Sequence, residues 1–106
     1  MNASTEMEIN FDLTIRRVTR QAAGSGTWVI GRVDDYRFDA LVFEDHAVDA
    51  DWELGKSQIS KLWIQRVADK ITVFNWDRGA DIPVADSEVQ QVVDFLAGGL
   101  ANAIFP

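Results

Sequence analysis

The stretch that decides the fold is residues 59–79, I-S-K-L-W-I-Q-R-V-A-D-K-I-T-V-F-N-W-D-R-G. Ile59, Leu62, Trp63, Ile64 and Val67 form one run; Ile71, Val73, Phe74 and Trp76 form a second. β-Branched and aromatic side chains fit a pleated, half-buried surface, so both runs read as strands. Ala68, Asp69 and Lys70 lie between them, and Asp closes short turns by bonding to nearby backbone. Alternation on the second strand puts Ile71, Val73 and Asn75 on one face and Thr72, Phe74 and Trp76 on the other. Apolar groups on both faces imply cover on both. Asp77-Arg78-Gly79 ends the strand. A helix over 59–67 is the competing reading, because Ile59, Leu62, Trp63 and Arg66 also share a helical stripe.

Upstream, Trp28–Val33 and Tyr36–Phe43 read as a second hairpin about the turn Asp34-Asp35, where Asp tolerates the left-handed conformation. Tyr36, Phe38, Ala40 and Val42 share one face; Arg37, Asp39, Leu41 and Phe43 share the other. Earlier still, Ile9, Phe11, Leu13 and Ile15 alternate with Glu8, Asn10, Asp12 and Thr14, which predicts a strand through about Val18. The spacing of Phe11, Ile15, Val18 and Ala22 leaves a helix open as the alternative. Arg16, Arg17 and Arg20 form a basic cluster, read as a solvated strand end or as a contact for an anion or acidic partner. Residues 22–26 form a flexible connector without the spacing of a phosphate-binding loop.

Downstream, residues 80–85 read as a connector containing Pro83. Ser87 suits a helix N-cap, with Gln90 completing a capping box. Val89, Val92, Val93, Leu96 and Leu100 make one apolar stripe, and Gly98-Gly99 is expected to end the helix. The order of elements predicts an α+β domain: a four- or five-stranded, mainly antiparallel sheet with one C-terminal helix on a face. A single domain spans 1–106, with 1–7 frayed, the sheet within 8–85, the helix at 86–101 and an apolar tail at 102–106.

Composition narrows the function classes. The chain of 106 residues is 47% hydrophobic and has no cysteine, so disulfides, thiolate nucleophiles and zinc–thiolate sites are excluded. No run of about 18 apolar residues predicts a membrane span, and the first ten residues lack the pattern of a signal peptide. A cytoplasmic location is the expectation. The net charge of −7 argues against direct nucleic-acid binding. Residues 34–53 hold eight acids against Arg37 alone, an excess equal to the whole net charge.

Residues 26–43 (G-T-W-V-I-G-R-V-D-D-Y-R-F-D-A-L-V-F), 59–64 (I-S-K-L-W-I) and 75–79 (N-W-D-R-G), followed by a C-terminal helix, resemble a family of small uncharacterised bacterial domains. The resemblance covers about residues 26–100 and leaves 1–25 outside. It implies a bacterial origin and carries no assigned activity.

Candidate chemistry is sparse. His46 is the only histidine, and a loop histidine is a plainer reading than a triad member, since triads are defined by geometry. Asp49, Asp51 and Glu53 alternate as in some calcium loops, but Leu54 and Ser60 stand where an EF-hand needs Gly and Glu. No cofactor, metal or catalytic residue is assigned, and no enzyme activity is expected. The aromatic load, four Trp, six Phe and one Tyr, is large, each burying on the order of 150–250 Å², and one helix covers only one face of a sheet. The leading expectation is a self-associating or partner-binding interaction module, with Glu44, Asp45, Asp49, Asp51, Trp52, Glu53, Trp63, Trp76 and Arg78 as candidate interaction residues. Alternatives are an acidic nucleic-acid mimic that blocks a basic protein, and a small ligand-binding domain or enzyme with a pocket lined by Trp28, Trp63 or Trp76.

Overall fold

The computed structural model describes residues 11–21 and 25–105. Expectations for residues 1–10 and for the connector at 22–24 lie outside them. Six strands follow one another in a single antiparallel meander: β1 (Leu13–Arg20), β2 (Thr27–Val33), β3 (Tyr36–Val42), β4 (Ile59–Arg66), β5 (Thr72–Asp77) and β6 (Ala80–Ile82). One helix, α1 (Ser87–Ile104), closes the chain. The α+β class is as read from sequence, but the sheet has six strands rather than four or five. The addition is β6, three residues that pair with Asn75 and Trp76 after the turn at Arg78-Gly79. So short an exposed strand, followed by Pro83, carries no alternation to detect.

Register decides which side chains meet α1. Val29 pairs with Ala40, which pairs with Leu62, which pairs with Trp76. Gly31 likewise leads through Phe38 and Ile64 to Phe74. These rows face the helix and bury Val29, Val33, Phe38, Val42, Ile59, Leu62 and Ile64 against Val89, Val92, Leu96 and Leu100. Gly31 is required there: a Cβ would stand 2.6 Å from the Thr14 carbonyl and 2.8 Å from the Phe38 ring.

Four register shifts interrupt the sheet, and two of them bear on the candidate residues. In β5 the pairing steps from Phe74 to Thr72, leaving Val73 as the extra residue of a bulge. Thr72 therefore pairs with Gln65, on the face away from α1, and does not share a face with Phe74 and Trp76. In β1 the extra residue is Arg16. This splits the basic cluster: Arg17 pairs with Ile30 on the far face, and Arg20 pairs with Thr27 on the helix side.

The helix begins one residue earlier in its capping than the sequence suggests. Asp86 is the N-cap and accepts from the Val89 N–H at 2.9 Å. Gly98-Gly99 does not end the helix, because Leu100, Ala101 and Ile104 continue the buried stripe. Burial of these side chains outweighs the helix penalty of about 1 kcal/mol per glycine. The apolar tail is thus mostly helix, and Phe105 lies beneath the Arg20 guanidinium, 5.4 Å from ring centroid to Cζ.

Candidate functional site

Strands β2 and β4 begin, and β3 and β5 end, at the same edge of the molecule, and the connection 43–58 is laid across it. Glu53 organises this loop. It is buried, and its carboxylate accepts from the Ala47 N–H at 2.6 Å, the Gln58 N–H at 3.1 Å and His46 Nδ1 at 2.8 Å. Burial by itself would raise the Glu53 pKa. Hydrogen bonds from Ala47, His46 and Gln58 outweigh burial and hold it below the ordinary glutamate value. Gln58, at φ 66, donates its side-chain amide to the carbonyls of Phe43 and Glu44. Asp49 caps the short 3₁₀ turn Ala50–Trp52 by accepting from Asp51 N–H.

Under the loop is a cleft of about 620 Å³. Leu41, Phe43, Trp52 and Phe105 supply its apolar lining, and Arg20, Lys61 and Arg78 its cations. Arg78 has φ 59 and carries its guanidinium over the Trp52 ring, 5.4 Å from the centroid. Lys61 is 3.6 Å from Asp77.

The second feature is the sheet face away from α1. Trp28 and Leu41 pair there, as do Ile30, Asp39, Trp63, Asn75 and Ile82 in one row across five strands. Arg32, Arg37 and Gln65 form the next row. On this face Trp28, Ile30, Leu41 and Trp63 are half-buried and Ile82 is exposed, and the 43–58 loop borders its Leu41–Lys61 end. Trp63 donates its indole N–H to Thr72 at 3.1 Å, which turns one polar end of the ring to the sheet, and Arg37 sits 5.9 Å over it. Asp39, in the middle of the row, has a buried Oδ1 that accepts no hydrogen bond. Burial pushes its carboxyl above the ordinary aspartate value, and Arg37 beside it only partly counters this.

The residues singled out from sequence fall in three places. Glu44, Asp45, Trp52, Glu53 and Arg78 come together around the cleft, with Asp49 and Asp51 in the adjacent 3₁₀ turn. Trp63 lies half-buried on the face away from α1. Trp76 is on the helix side, packed against the core. The acids of 34–53 do not share a surface: Asp34 and Asp35 are in the β2–β3 turn at the opposite end, Asp39 is on the face away from α1 and Glu53 is buried. Trp52, rather than Trp28, Trp63 or Trp76, lines the cleft. Asp77 pairs with Lys61, so the Asp-Arg-Gly turn is tied to the sheet through Asp77 and not through Arg78. Arg20, Leu41, Lys61 and Phe105 were not legible as site residues, because register alone brings them to one end. Among the described residues no group of three or more carboxylate or histidine side chains is placed to hold a metal ion, and no helix is long and apolar enough to cross a membrane.

Fold and site define a small α+β domain, a six-stranded meander backed by one helix, with a cleft at one strand end. The chain belongs to the family described as a domain of unknown function, DUF7678, whose model matches residues 27–101. That match begins at β2 and leaves β1 outside it. No curated protein and no solved structure matches the chain significantly.

Proposed function

We propose that the protein is a cytoplasmic, non-enzymatic interaction module whose sheet face away from α1 is closed by a second copy of the chain. The observation that carries this reading is the row Ile30, Asp39, Trp63, Asn75, Ile82, flanked by Trp28 and Leu41, on a face that α1 does not reach. Sheet faces bearing large apolar side chains are covered in stable proteins, and contiguous apolar patches of several hundred Å² mark interaction sites. Charge distribution supports a second copy as the occupant. At one end of the face Arg37 stands beside Arg32, which lies 3.9 Å from the turn acid Asp35, and the acidic loop carrying Glu44, Asp45, Asp49 and Asp51 stands at the other. A two-fold axis across the strands lays the loop end of each copy over the arginine end of the other, which closes the assembly as a dimer. Val48, fully exposed among those acids, is an apolar anchor for the same contact. The acidic-mimic alternative loses support from the dispersal of its acids over three surfaces.

Sedimentation velocity tests the reading. Wild-type protein is expected to show a concentration-dependent dimer, weakened by Ile30→Glu and by the Arg32→Glu/Arg37→Glu pair. Introducing Asp45→Lys and Asp49→Lys into the arginine double variant is expected to restore association. A monomer at every concentration, or a dimer indifferent to Ile30→Glu, would overturn it.

A further inference from the structure

We infer that the cleft at the loop end of the sheet is a binding site for a small planar aromatic monocarboxylate, with Arg78 as the group that takes the carboxylate. The cleft is lined within one chain, but Leu41, Glu44 and Asp45 also belong to the surface that the sheet-face reading closes, so the titration is made on protein dilute enough to be monomeric.

Size is the first support. About 620 Å³ is within the roughly 300–1,000 Å³ typical of small-molecule sites, which are mostly apolar with a few placed polar groups. Leu41, Phe43, Trp52 and Phe105 supply that apolar surface. The walls are held before any ligand arrives: Glu53 fastens the loop by three hydrogen bonds, and Gln58 bonds two loop carbonyls. Preformed walls reduce the ordering cost of binding.

Charge is the second support. Of the cations lining the cleft, Lys61 is occupied by Asp77, and Arg20 gives one N–H to the Ile104 carbonyl at 3.1 Å. Arg78 makes no ion pair or hydrogen bond with another described residue. Its guanidinium lies over the Trp52 ring, 5.4 Å from the centroid, on a backbone at φ 59 that a non-glycine residue adopts only at a cost. A planar fork of N–H donors held beside aromatic surface matches a carboxylate attached to a ring. Acids set the upper limit on ligand charge. Glu53 is already satisfied, but Glu44 and Asp45 also line the cleft, so a monoanion is favoured over a phosphate dianion.

The test is calorimetric titration of the full chain with 2-naphthoate and with its neutral counterpart 2-naphthamide. Naphthoate is expected to bind with Kd below about 1 mM and at least about tenfold more tightly than the amide. Arg78→Gly suits the positive φ and so preserves the fold; it is expected to remove the preference for the anion, so that naphthoate and naphthamide then bind equally. Trp52→Ala is expected to weaken both ligands. Equal binding of acid and amide by wild type, an Arg78→Gly protein that keeps the preference, or no binding of naphthoate at millimolar concentration would each overturn the assignment. Thermal melts of the variants verify that they are folded during the titration.

Discussion

Glu53 and Asp39 are two acids with opposite effects. Glu53 is buried among donors, and its pKa is lowered in the fold. A lowered pKa contributes stability above the unfolded glutamate range that is lost as pH falls through the folded value. Glu53→Ala also leaves the Ala47 and Gln58 N–H groups without their acceptor. The expected loss is about 2 kcal/mol at neutral pH, shrinking in acid, read from thermal melts across pH. Asp39 has a raised pKa, so its ionisation costs stability as pH rises through the aspartate range and beyond. Asp39→Asn in the dilute protein is expected to gain about 1 kcal/mol at neutral pH, with the gain vanishing in acid where both side chains are neutral. A melting temperature unchanged by Asp39→Asn at neutral pH would contradict this. His46 was read from sequence as a plain loop residue, and nothing in spacing indicated that its partner is Glu53. Such a contact depends on how a loop of sixteen residues, 43–58, is folded, and no periodicity encodes that.

Among the elements, β3 is the most legible, since Tyr36, Phe38, Ala40 and Val42 alternate without a bulge and all four are buried. In β5 alternation misleads after Val73, because one extra residue reverses every later assignment. The helix stripe was legible, but its end was not: propensity at Gly98-Gly99 opposes burial at Leu100 and Ile104, and burial prevails. Both glycines have open space around a built Cβ, so Gly98→Ala and Gly99→Ala are each expected to stabilise the protein by up to about 1 kcal/mol in denaturant melts. Gly31→Ala is expected to do the reverse, by about 1–3 kcal/mol, because the Thr14 carbonyl and Phe38 ring must move. A neutral Gly31→Ala would mean that β1 is not held against β2 at this register.

For the whole molecule, the sequence carried an imbalance that the fold resolves in one direction. A single helix with an apolar stripe serves one sheet face, and the remaining aromatics are then on the other or at its end. Which tryptophan goes where was not legible, because it depends on bulges and on the fold of the loop. The four now report on different surfaces: Trp28 and Trp63 on the sheet face away from α1, Trp52 at the cleft, and Trp76 toward the helix. Their indole N–H signals in ¹H–¹⁵N NMR therefore separate the possible contacts in one experiment. Over a dilution series of roughly a hundredfold, closure of the sheet face by a second copy predicts that the Trp28 and Trp63 signals shift with concentration while Trp76 stays fixed. If Trp28 and Trp63 are unchanged throughout, or if only Trp76 moves, the face away from α1 is not where the chain associates.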